Sequence, residues 1–136
     1  MTPYISASLR RQVVDRAQGK CEYCLIQQNF SIYSHEIDHV VAVKHGGQTI
    51  ADNLVLSCLS CNRYKGSDLT SIDPVNGEIT PLFNPRSQNW TDHFKLEDGY
   101  IVGLTAIGRT TIFLLKLNDL TRVQIRQALI MQNLYP

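Results

Sequence analysis

Apolar residues at positions 9, 13, 14 and 17 recur at the three-and-four spacing of one helix face. Leu9, Val13, Val14 and Ala17 therefore predict a helix over residues 6–18, capped by Ser6 and stopped by Gly19. The rhythm then changes. "IYSHEIDHVVAV", residues 32–43, is rich in β-branched and aromatic residues and predicts a strand that runs into the breaker "KHGG". "ADNLVLSC" predicts a cap or loop followed by a short apolar strand, and "SCNRYKGSDL" a short helix or turn starting at a cysteine pair.

Beyond residue 70 the patterning is weaker. Residues 71–93 carry several prolines and an Asn76-Gly77 turn signal, and read as an irregular wrapping segment. "HFKLEDGYIVGL" holds the Asp98-Gly99 signature of a tight hairpin. Residues 109–135 predict two helical pieces broken near Asn118, the last burying Leu120, Val123, Ala128, Leu129 and Leu134. The fold class expected is α+β, in one domain spanning residues 1–136.

Composition narrows this picture. At 136 residues with 43% apolar and 18% charged content, the chain fits a globular domain that benefits from a staple. Its formal charge is +1, so any contact with nucleic acid has to be a local patch. Neither half is a basic arm: residues 1–70 hold seven Lys and Arg against six acids, and the remainder six against six. The start "MTPYISASLRRQ" lacks the apolar run of a secretion signal, and no stretch approaches a membrane span. The expectation is a cytoplasmic protein, with no membrane partner and with reduced thiols.

Chemistry-bearing residues concentrate between 21 and 65. Cys21 and Cys24 in "CEYC" repeat the spacing of Cys58 and Cys61 in "SCLSC". Two such knuckles can present four thiolates to one structural Zn2+ with no position left for water. The pattern points to zinc over a disulfide or a redox pair, since a redox centre needs only one pair in a strand-to-helix context. Bound there, the metal pins the end of the first helix to the helix that follows Cys58 and contributes directly to folding.

Between the knuckles lie Asp38 and His39, then Asn53 fourteen positions on, and Asn62 directly after Cys61. In "EIDHVVAVKHGG", "ADNLVLSCLSCN" and "RYKG", this order resembles the HNH nuclease family and its ββα-metal motif. The resemblance covers about residues 20–70, with residues 71–136 as a supporting extension. The later "LFNPRSQNWTDHF" is similar to a segment that follows the motif in stand-alone members. It implies that His39 is the general base, that Asn53 braces the loop holding it, and that Asp38 and Asn62 ligate a catalytic ion. Many relatives carry histidine where this chain has Asn62. A neutral amide oxygen beside a carboxylate suits Mg2+ or Mn2+ better than a second zinc.

The implied activity is hydrolysis of a DNA phosphodiester, leaving a 5′-phosphate and a 3′-hydroxyl. A histidine, with an ordinary pKa of about 6.5, can be neutral near pH 7 and take a proton from attacking water. Asn53 or a backbone carbonyl is expected on its other ring nitrogen. Lys44, His45, Arg63, Lys65 and Arg86 are candidate DNA phosphate contacts, with solvated surface as the plain alternative. Cutting both strands requires two sites, as in a homodimer, or two sequential nicks. The competing function is a non-catalytic zinc-ribbon module that binds nucleic acid, which has no need of the Asp38-His39-Asn53-Asn62 set.

Overall fold

The computed structural model describes residues 3–136. Helix α1 spans Ala7–Ala17, its first turn closed by Ser6 Oγ accepting the Leu9 amide at 3.1 Å. Gln18 and Gly19 both turn left-handed, with φ of 55° and 72°, and end the helix two residues before Cys21.

Strands β1 (Glu36–His39) and β2 (Leu54–Ser57) pair antiparallel, with Asp38 opposite Val55 and His39 opposite Leu54. Every residue of β2 is buried, because both of its faces are covered. Leu54 and Leu56 join Val13 of α1 in a small core, while Val55 points the other way into the main core. Helix α2 (Leu59–Lys65) follows at once, with Cys58 as its N-cap. The strand expected over residues 32–43 is thus only four residues long. β2 offers no longer edge to pair with, and Ile32 and Tyr33 stay exposed.

The segment 71–93 is more regular than its prolines suggested. Strands β3 (Thr70–Ile72) and β4 (Ile79–Pro81) form a hairpin whose turn contains Asn76 and Gly77. At its base the buried Asp73 pairs with Arg109 at 2.7 Å. The short helix α3 (Trp90–His93) leads into β5 (Phe94–Glu97) and β6 (Tyr100–Gly103), joined through Asp98-Gly99. Both turn residues have positive φ, as a two-residue hairpin with right-handed strand twist demands.

Helices α4 (Ala106–Leu115) and α5 (Leu120–Met131) complete the chain. They part at Lys116, which is left-handed, shortly before the expected break at Asn118. The main core is shared: Cys21, Tyr23, Val55 and Cys61 pack with Phe83, Phe94, Ile101, Leu115 and Leu117 of the extension. Phe83 and Phe94 meet edge to face at 5.2 Å. The expected inner face of α5 needs correction. Leu120, Ala128 and Leu134 are exposed and Leu129 is half-buried, while Val123 and Arg126 are buried. Arg126 is accommodated because its guanidinium donates to the Gly99 and Leu117 carbonyls at 2.7 and 2.8 Å.

Candidate functional site

The knuckles converge. The four cysteine sulfurs lie within 4.8 Å of one another, all buried, with Cys24 and Cys58 Sγ 3.7 Å apart. A tetrahedral zinc with bonds of about 2.3 Å sets its sulfurs about 3.8 Å apart, so the cluster fits that ion. Without the metal the thiols are split. Hydrogen bonds from Cys21 and its neighbours lower the Cys24 and Cys58 pKa values, and burial pushes Cys21 and Cys61 up.

Two groups from the extension grip this cluster. Arg122 Nη2 of α5 donates to Cys61 Sγ at 2.9 Å and approaches Cys58 Sγ at 3.9 Å. Its Nη1 donates to the Leu115 carbonyl at 2.7 Å. Burial disfavours the guanidinium, but the cysteines' negative charge outweighs that and holds its pKa up. The Tyr135 hydroxyl donates to the Cys24 carbonyl at 2.6 Å.

The second constellation lies on the β1–β2–α2 unit. Asp38 shares its strand face with its partner Val55, so its carboxyl is turned toward the protein and half-buried. Oδ1 accepts the His39 amide at 2.9 Å, whereas Oδ2 is buried with no hydrogen-bond partner among the described residues. Burial raises the Asp38 pKa, against the pull of the Lys65 charge. A lone buried carboxylate oxygen is unfavourable by roughly 1–3 kcal/mol or more, and a divalent cation relieves that penalty. The Asp38 carboxylate and the Asn62 amide both carry hard oxygen donors, the type that Mg2+ or Mn2+ takes.

Asn62 is half-buried on the first turns of α2, and its Nδ2 donates to Glu36 Oε2. Glu36 precedes Asp38 by two residues and so occupies the same face of β1. His39 alternates to the other face but ends the strand, and its Nε2 hydrogen-bonds Thr49 Oγ1 at 2.9 Å. The ring's partner is therefore Thr49 and not Asn53 or a backbone carbonyl. Asn53 works on the loop between the strands. Its Oδ1 accepts the Val41 amide at 3.0 Å, and its Nδ2 donates to the Val41 and Gln48 carbonyls at 3.0 and 2.9 Å. Gly47 makes that closure sterically feasible: a Cβ there would sit 1.7 Å from the Val41 oxygen.

The cations divide. Lys44, His45 and Arg63 are exposed, and His45 Nε2 lies 3.2 Å from the Ser67 carbonyl. Lys65 is buried and donates to the Val40 carbonyl at 3.1 Å, tying α2 to the end of β1. Arg86 forms an ion pair with Glu22, whose other oxygen accepts the Leu56 amide at 2.9 Å. Of the candidate phosphate contacts, Lys65 and Arg86 are thus internal ties in this structure, to Val40 and to Glu22. Glu36 was legible from strand alternation with Asp38. Thr49 and Arg122 carried no signal, one in an irregular loop and the other on an apparently polar helix face.

Among the described residues, no helix is long and apolar enough to cross a membrane. A family model described as HNH endonuclease matches residues 21–68. Septu protein PtuB of Bacillus thuringiensis is 26% identical over 130 residues, which cover 94% of this chain. The chain spans 46% of that relative's length. No solved structure matches.

Proposed function

We propose, from the premise that residues 21–68 belong to the HNH endonuclease family, that the protein is a metal-dependent DNA endonuclease hydrolysing phosphodiester bonds. Asp38 and Asn62 would hold a catalytic Mg2+ or Mn2+, and the four cysteines a structural Zn2+. When bound, the divalent ion neutralises a non-bridging phosphate oxygen and stabilises the departing oxygen.

The protein's own groups supply the proton chemistry. Thr49 Oγ1 holds His39 Nε2 at 2.9 Å, and with Nε2–H as the donor in this reading Nδ1 is the bare nitrogen. That nitrogen accepts the proton of the attacking water. Asn53 contributes by locking the loop that delivers Thr49, through its bonds to Val41 and Gln48. Lys44, His45 and Arg63, exposed on the loop and on α2, are positioned to meet the DNA backbone, with His45 Nε2 also bonded to the Ser67 carbonyl. Double-strand cleavage takes two such sites, in a homodimer, or sequential nicks. Four cysteines free of disulfides support a cytoplasmic location for this activity.

The observation carrying this reading is the buried Asp38 Oδ2, which has no partner among the described residues, followed in sequence by an imidazole held at Nε2 by Thr49. Zinc-loaded protein is expected to nick plasmid DNA with magnesium or manganese and not with EDTA. His39→Ala is expected to lower the rate by about 10²–10⁴-fold, leaving zinc content unchanged. Equal cleavage by wild type and His39→Ala would assign the activity elsewhere.

A further inference from the structure

We propose that Glu36 is a positioning residue that selects which end of the Asn62 amide faces the catalytic ion. The inference rests on the nuclease reading above, in which Asn62 is a ligand. An asparagine side chain presents an oxygen or an NH2 group after a half-turn about its last torsion, with almost the same shape. Only the oxygen can ligate a hard cation. An asparagine ligand therefore needs a neighbour that distinguishes its two ends.

Glu36 is suited to do that. A carboxylate accepts hydrogen bonds and donates none, so it attracts the NH2 end and repels the oxygen. Asn62 Nδ2 donates to Glu36 Oε2, and this is the contact that orients the amide across the gap between α2 and β1. Strand alternation sets Glu36 and Asp38 on one face, two residues apart. With its nitrogen drawn to Glu36, the Asn62 oxygen is left free on the side away from that carboxylate. Glu36 is exposed and outside the core, so removing its side chain leaves no cavity.

Asn62→Asp provides the discriminating background, because a carboxylate has oxygens at both ends and no selection is needed. Manganese binding to zinc-loaded protein is titrated by the loss of the free Mn2+ electron-spin signal, which does not depend on cleavage. Glu36→Ala is expected to weaken binding about ten-fold or more, the effect of losing a charge-assisted hydrogen bond that fixes a ligand. In the Asn62→Asp background the same change is expected to leave affinity unaltered or to tighten it, because two facing carboxylates are relieved. An equal loss in both backgrounds makes Glu36 a direct ligand or a bulk charge and overturns the proposal. Asp38→Ala is the control for the underlying reading. If it abolishes manganese binding while Glu36→Ala does not weaken it, positioning fails alone. If wild type and Asp38→Ala bind manganese alike, the ion is not at this site and both readings fall.

Discussion

The sulfur cluster and the oxygen-bearing set meet on the same short helix α2, at the consecutive residues Cys61 and Asn62, yet they are built on opposite plans. The cysteines are 0–6% exposed and are held from the first knuckle, the start of α2, Arg122 of α5 and Tyr135 of the tail. Asp38, His39 and Asn62 are half-buried, and each is steadied by one named side-chain contact. A fully enclosed thiolate set leaves no coordination position for substrate, while a half-open carboxylate and amide do. In the function proposed above, the enclosed set supplies stability and the open set the reactive groups. The helix carries geometric information between them, since Cys61 and Asn62 are adjacent.

The largest expected effect comes from breaking the enclosed set. Cys58→Ser removes one zinc ligand and the N-cap of α2 together. Zinc binding at comparable sites contributes about 10–16 kcal/mol, more than the whole stability of an ordinary domain. The variant is expected to lose zinc and ordered structure. Trp90 fluorescence reports it, because the indole donates to the Tyr23 carbonyl inside the first knuckle at 2.9 Å. A folded, zinc-free Cys58→Ser protein would remove the cluster from its structural role.

Gly47→Ala attacks the open set without touching a proposed ligand. The new methyl group collides with the Val41 oxygen and crowds Asn53 Nδ2, so the loop carrying Thr49 has to shift. Misplacing a catalytic group by about 1 Å commonly lowers rates by about a hundred-fold. Cleavage is expected to fall by that order with zinc content unchanged. If zinc is lost in step with activity, the two sets are not separable.

The same contrast explains what the sequence made legible. The cysteine spacing, the cap at Ser6 and the Asp98-Gly99 turn are local rules in which a few neighbouring residues decide the outcome, and each is found where expected. The roles proposed for Asp38 and Asn62 come from family resemblance and from no local rule. What escaped was the destination of long cations. Lys65, Arg86, Arg122 and Arg126 look solvated by type, but each finds an acceptor supplied by a distant segment: Val40, Glu22, Cys61 and Gly99. No window of sequence contains both partners. Burying these arginines also displaced the expected face of α5, where Leu120 and Leu134 yield the interior to Arg126. Strand length failed for a related reason, because β1 can extend only as far as β2 accompanies it.

The smallest of these effects, and the most informative about how the enclosed set is held, is expected from Arg122→Met. A four-thiolate zinc site carries two net negative charges in a buried setting, and a guanidinium 2.9 Å from Cys61 offsets one of them. Methionine preserves much of the apolar stem but removes the charge and the donors to Cys61 and Leu115. Changes in groups that bond to metal ligands commonly lower metal affinity about 10–100-fold, which sets the expected shift in a chelator competition. Cleavage at saturating zinc is expected to stay near wild type, because Arg122 makes none of its hydrogen bonds to the β1–β2 strands or their loop. Unchanged zinc affinity would mean that the last helix merely covers the cluster. A drop in cleavage with zinc still bound would show instead that α5 acts through Cys61 on its neighbour Asn62, coupling the enclosed set to the open one.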